Sequence, residues 1–136
     1  MYAKLWIILA ITVYICHAAK QSKVTYTDKY DKIDVDAILH NERVLKRYID
    51  CLMDRARCTP DGAELKKYIP EALETECAKC TEAQKRFAGK VMSFLLQNKR
   101  NYWNELLGKY DPNGKFRKKY EEAALQDEDY SSFYNE

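Results

Sequence analysis

The chain is poor in the residues that punctuate structure: 4 glycines and 3 prolines in 136 residues, while alanine, leucine, lysine and glutamate abound. No stretch sustains the two-residue alternation of a strand, so a strand-built fold is excluded, and the widespread three- and four-residue apolar spacing predicts an all-α fold. Histidine is also scarce, at 2 residues. There is no His pair at metal spacing, no G-x-S-x-G and no phosphate-binding loop, which removes the common hydrolase, zinc-enzyme and nucleotide-binding signatures. Charge of one sign is missing as well: 23 basic against 21 acidic residues leave a net charge of +2. That is no basis for nucleic-acid binding, and the run Arg117–Lys119 reads as the solvated face of a helix.

Long apolar runs are absent too. The longest, Leu5 to Cys16, is broken only by Thr12 and falls well short of the roughly 20 residues that span a bilayer. Lys4 precedes it and the small residues Ala18 and Ala19 follow. A short basic start, an apolar centre and a small-residue cut site make residues 1–19 a secretory signal peptide. The mature chain, residues 20–136, is then expected to be secreted and extracellular, without stable membrane insertion. Its length of about 117 residues suits one domain. It keeps one histidine, His40, one tryptophan, Trp103, and four cysteines.

Along the mature chain, residues 20–33 are polar with interleaved tyrosines and are expected to be extended. Asp34 can cap a short helix reaching His40, whose bland role is at a helix end. A second helix begins near Glu42, with Val44, Leu45, Tyr48, Ile49, Leu52 and Met53 on one stripe. Thr59, Pro60 and Asp61 form a helix start. Leu65, Tyr68, Ile69, Ala72 and Leu73 line that third helix, and Pro70 inside it predicts a kink or one open hydrogen bond. Thr81 and Gln84 form a capping box. The helix they open, with Phe87, Val91, Met92, Phe94, Leu95 and Leu96, is apolar nearly all round and is expected to be central and buried. A short helix follows around Trp103 to Lys109, then a turn at Asp111–Gly114 and a polar helix from Phe116 to about Gln126. Glu121 and Glu122 read as solvated, and 127–136 as a loose tail.

The four mature cysteines are spaced C-x6-C-x18-C-x2-C. Structural zinc ligands come in pairs two to four residues apart, which the x6 pair does not match. A redox C-x-x-C needs a strand-to-helix setting that this chain lacks. An even cysteine number in an oxidising compartment favours disulfides. Seven residues of continuous helix would hold Cys51 and Cys58 roughly 10 Å apart, too far for a bridge, so a bond there requires the helix to end and the chain to turn back. Of three possible pairings, the short-loop one fits both this corner and a turn at Cys77–Cys80. Such loops are worth about 2–2.5 kcal/mol each in the chain-entropy model.

The segments YTDKYDKIDVDAIL, NERVLKRYIDCLMDRARCTPDG, ELKKYIPEALETECAKCTEAQK and W-x6-YDPNGKFRKKYE, set on this cysteine frame, resemble the insect chemosensory protein family over nearly the whole mature chain. Phe116, where the family often has tryptophan, and the acidic, tyrosine-rich tail depart from it. The resemblance implies a compact bundle of about six helices around an apolar channel, with disulfides Cys51–Cys58 and Cys77–Cys80. It also implies a carrier of long-chain fatty acids, alcohols, esters or semiochemicals in sensillar lymph or haemolymph; the residues themselves point to no cofactor, metal or catalysis.

On that basis Tyr30, Leu39, Leu45, Tyr48, Ile49, Leu65, Ile69, Val91, Leu95, Trp103 and Leu106 are expected to line the ligand site. Tyr30 and Tyr48 could offer hydroxyls to a head group. Expected partners are a small hydrophobic ligand and a membrane receptor, with the chain a monomer. An alternative from another class is a secreted developmental or immune interaction protein acting through its surface and tail.

Overall fold

The computed structural model describes residues 24–126; the expected leader 1–19 and tail 127–136 lie outside the described residues. Among the described residues are six helices and no strands: α1 (Val35–Leu39), α2 (Glu42–Leu52), α3 (Pro60–Thr75), α4 (Glu82–Asn98), α5 (Arg100–Tyr110) and α6 (Lys115–Gln126). The start signals act as side-chain chemistry predicts. Asp34, Asn41 and Thr59 each accept from an amide of the first turn of α1, α2 and α3, satisfying donors that a helix start leaves orphaned. Thr81 and Gln84 cap α4 reciprocally, at 3.1 Å in both directions. The turn Asp111–Gly114 works as one unit. Gly114 takes the left-handed conformation (φ 66°), and the Asp111 carboxylate accepts from the amides of Phe116 and Arg117.

The core is one cluster. Leu39 of α1, Leu45 and Ile49 of α2, Leu95 of α4, Trp103 and Leu107 of α5 and Tyr120 of α6 are all buried against one another. Helix α2, the most clearly amphipathic element, sits beneath it and packs against α1, α3 and α5. The α6 helix docks through an aromatic contact: Tyr120 lies 5.4 Å from Trp103 of α5, and Phe116, one turn earlier on α6, stacks beside Tyr120 at 5.6 Å.

Both corners are closed by disulfides, Cys51–Cys58 and Cys77–Cys80, each with Cα atoms 4.9 Å apart. At the first, α2 ends at Leu52 and Asp54 turns left-handed (φ 63°). Asp54 is held there by ion pairs from Lys66 of α3 and Lys109 of α5. At the second, Glu76 and Cys77 are consecutive left-handed residues (φ 52° and 62°). For non-glycine residues this costs on the order of 1 kcal/mol each, and it persists only where the surroundings leave no alternative.

Three expectations are refined. Helix α3 runs unbroken through Pro70, which is exposed. Glu121 is not simply solvated: it is half-buried and its Oε1 accepts the Trp103 indole N–H at 2.8 Å. Helix α4 is not enclosed. Of its side chains with apolar character only Leu95 is fully buried, and Phe87, Val91, Met92, Phe94 and Leu96 keep partial exposure. An apolar surface all round states what a helix avoids, and the fold supplies fewer neighbours than it could use.

Candidate functional site

The uncovered apolar surface of α4 is the starting point. Helices α3 and α4 are consecutive and joined at the Cys77–Cys80 corner, but the closest backbone approaches of each are to other helices. Helix α3 packs on α2 and α5, and α4 packs on α5 and α1. Ile69 and Leu73 of α3 remain half-buried, like Val91, Met92 and Phe94 of α4, and Leu65 is 47% exposed. Two helices thus leave apolar side chains incompletely covered on either side of one corner, where a well-filled bundle would have pressed them together.

The N-terminal segment straps the two helices. The amide of Tyr26 donates to the Lys79 carbonyl at the corner (2.8 Å). Its ring stacks on Tyr68 of α3 with centroids 4.1 Å apart, and its hydroxyl donates to Glu71 at 2.9 Å. One residue on, the Thr27 carbonyl accepts from the Gln84 side chain of α4 at 2.8 Å. Burial, followed by the hydrogen bond to Glu71, raises the Tyr26 phenol to about 12. Further along, Asp36 of α1 pairs with Lys90 of α4 at 2.7 Å, and the His40 ring meets Phe94 edge-on at 5.7 Å. His40 itself closes α1, its Nδ1 2.9 Å from the Asp36 carbonyl oxygen.

The expected lining residues divide into two groups. Leu39, Leu45, Ile49, Leu95 and Trp103 belong to the fully buried cluster, with Val91 and Leu106 packed against it and partly exposed. Tyr30, Tyr48 and Ile69 are half-buried outside the cluster, and Leu65 stands open. The Tyr48 hydroxyl is already engaged, donating to Asp61 of α3. Burial and that bond raise it to about 12. Asp61 is held low despite its burial, which acts against the shift, by hydrogen bonds from Tyr48 and Thr59. The Tyr30 ring carries the Lys29 ammonium 5.1 Å from its centroid.

Sequence reasoning passed over Tyr26 as a site residue, as it did the carboxylates of α3 that face tyrosines. A tyrosine in a polar stretch gave no sign of the helix it would stack on. The Tyr68–Glu71 spacing on α3 was readable as one helical face.

An open groove of about 390 Å³ lies elsewhere, on α6 among Lys115, Lys118, Lys119, Glu122 and Ala123. Its lysine-rich rim is a poor match for an apolar guest. Among the described residues no three metal-ligating side chains converge, and no helix is long and apolar enough to cross a membrane.

Comparison with known proteins agrees with this fold. The chain is 48% identical over 118 residues to the allergen Tha p 1 of Thaumetopoea pityocampa, covering 85% of this chain and 91% of that one. Its fold matches a chemosensory protein in complex with bromo-dodecanol with a TM-score of 0.71 at 48% identity, over 73% of this chain and 99% of that one. It also matches the antennal chemosensory protein A6 of the moth Mamestra brassicae, with a TM-score of 0.63 at 46% identity, over 69% and 92%. With residues 26–118 matching the family model, the chain belongs to the insect pheromone-binding family A10/OS-D.

Proposed function

We propose that the mature chain is a secreted carrier of small hydrophobic ligands such as long-chain alcohols, fatty acids and esters, and that the ligand lies between α3 and α4. The observation that carries this reading is the set of apolar side chains left partly exposed on the two helices that flank the Cys77–Cys80 corner. The similar fold that holds bromo-dodecanol supports it.

The chemistry required is burial alone. Each methylene moved from water to an apolar wall is worth about 0.8 kcal/mol, so affinity should climb with chain length. The disulfide corner and the Tyr26 strap fix the spacing of the two walls, which reduces what binding must spend on ordering them. The strap crosses from α3 to α4 near the corner, so the ligand would enter from the far end of the gap or by strap movement.

The test is a titration of the mature chain with C12–C18 alcohols and acids, following displacement of an apolar dye together with Trp103 emission. The reading predicts saturable displacement that strengthens with chain length. Absence of saturable binding in both signals would remove it.

A further inference from the structure

The polar stripe of α3 sets a carboxylate against a tyrosine three times. Asp61, Glu64, Tyr68 and Glu71 follow three- and four-residue steps and so share one face. At the first pair Asp61 receives the Tyr48 hydroxyl, with Thr59 and the Gly62 amide as further partners. At the last, both oxygens of Glu71 are occupied: Oε2 accepts from Tyr26 at 2.9 Å and Oε1 pairs with Lys79 at 2.5 Å. The middle pair differs. Glu64 faces Tyr68, and its carboxylate is the main reason the Tyr68 phenol is raised. Yet Oε2 of Glu64 is sealed from solvent and has no donor.

Buried acceptors without donors are rare in folded proteins and unfavourable. This one is next in sequence to Leu65, the large apolar side chain that stands 47% exposed, and one turn from Tyr68 and Ile69. A donor-bearing polar end with an apolar remainder would meet both needs.

We propose that Glu64 Oε2 is the acceptor for the head group of the ligand, which makes this a carrier for molecules whose polar end donates a hydrogen bond: long-chain alcohols and primary amines. This rests on the carrier reading above. At neutral pH a fatty acid brings a second acceptor-only group to the same place, and an ester brings no donor at all. Both leave Oε2 unsatisfied, so the site discriminates against them while the alkyl chain contributes equally in every case.

The experiment is dye displacement at neutral pH by dodecanol, dodecylamine, dodecanoate and methyl dodecanoate. It is run on the wild-type mature chain, Glu64→Gln, Glu64→Leu and Asp31→Asn. Asp31 carries the other sealed, unpartnered oxygen, Oδ1, and lies in the turn after Tyr30. It serves as the control. Wild type should bind the alcohol and the amine about tenfold more tightly than the acid and the ester, the size of one well-placed hydrogen bond. Glu64→Gln supplies a donor and should raise dodecanoate to the level of dodecanol. Glu64→Leu should level the series, and Asp31→Asn should leave it unchanged. Should Glu64→Leu lose its helical circular dichroism, wild type and Glu64→Gln carry the comparison. Equal affinities in wild type, or an order untouched by Glu64→Gln, overturn the proposal and leave the carrier reading standing. Failure of all four probes to bind removes both.

Discussion

The indole N–H of Trp103, on α5, donates to Oε1 of Glu121, on α6, at 2.8 Å, and Arg100 approaches the same oxygen at 3.5 Å. Trp103 is only 2% exposed, so its N–H has no access to water and depends on this acceptor. The relationship ties the last helix to the core alongside the Tyr120 ring.

Glu121→Ala should therefore cost about 1–2 kcal/mol, because it leaves a buried donor unmet. Glu121→Gln, which keeps an acceptor oxygen, should cost less than half of that. Urea midpoints give the energies, and the Trp103 emission maximum should shift in the alanine variant alone.

Two helical glycines should respond with opposite sign. A Cβ on Gly108 would meet nothing within 4 Å, so Gly108→Ala should stabilise by up to about 1 kcal/mol through helix propensity. A Cβ on Gly62 would stand 3.1 Å from Thr59 Oγ1 and 3.3 Å from Cys51 Sγ, one the cap of α3 and the other part of a disulfide. Neither can yield easily. Gly62→Val should destabilise by about 2 kcal/mol, within the range of overpacking. Thermal melts of the two variants provide the check.

Acid sensitivity follows from Asp54. Hydrogen bonds from Lys109 and then Lys66 lower its carboxyl from 3.8 to about 2. A depressed folded pKa gives stability that is present above the unfolded value and lost as pH falls towards the folded one. The loss should lie between about pH 4 and pH 2 and should be flattened in Asp54→Asn. At the alkaline end Tyr48 and Tyr26 are both raised to about 12, by burial and then by their carboxylate acceptors. Their contribution is present below about pH 10 and lost between pH 10 and pH 12. Phenolate absorbance should show Tyr48 and Tyr26 among the late-titrating tyrosines, with the late amplitude reduced in Tyr48→Phe. Urea midpoints against pH test the acid limb.

The strap makes a kinetic prediction. Tyr26→Ala removes the ring stacked on Tyr68 and the bond to Glu71, and leaves the backbone contact with Lys79. Ligand release, measured by stopped-flow dye exchange, should quicken several-fold with helix content unchanged. Tyr26→Phe, which keeps the stack, should lie between. Unchanged release in both would separate the strap from ligand exchange.

Local chemistry was legible in the sequence and tertiary cover was not. Asp34, Thr59 and the Thr81–Gln84 box announced helix starts because a cap is written within four residues. That a Cys51–Cys58 bond requires the chain to turn back followed from helix rise, and the Thr59 helix start agreed with it. The apolar run of α4 showed that it avoids water, but whether α3 would cover it depends on crossing geometry that no local pattern holds. Glu121 was taken for a solvated residue since its partner Trp103 lies 18 positions away, with no periodicity to join them. The strap contacts of Tyr26 and Thr27 span still longer separations. The same limit applies to the lining residues: spacing marks Leu45 and Ile69 alike as inward, and only the packed structure shows one sealed and the other half-open.

The central claim is that an apolar guest lies between α3 and α4, and the most direct measurement is the set of nuclear Overhauser contacts between bound dodecanol and protein methyl groups. The account predicts contacts from the alkyl chain to Ile69, Val91 and Leu106, which are half-buried, and none to Leu39 or Leu45 in the sealed cluster. Contacts confined to the α6 groove around Ala123, or saturating dodecanol with none of these methyls touched, would contradict it.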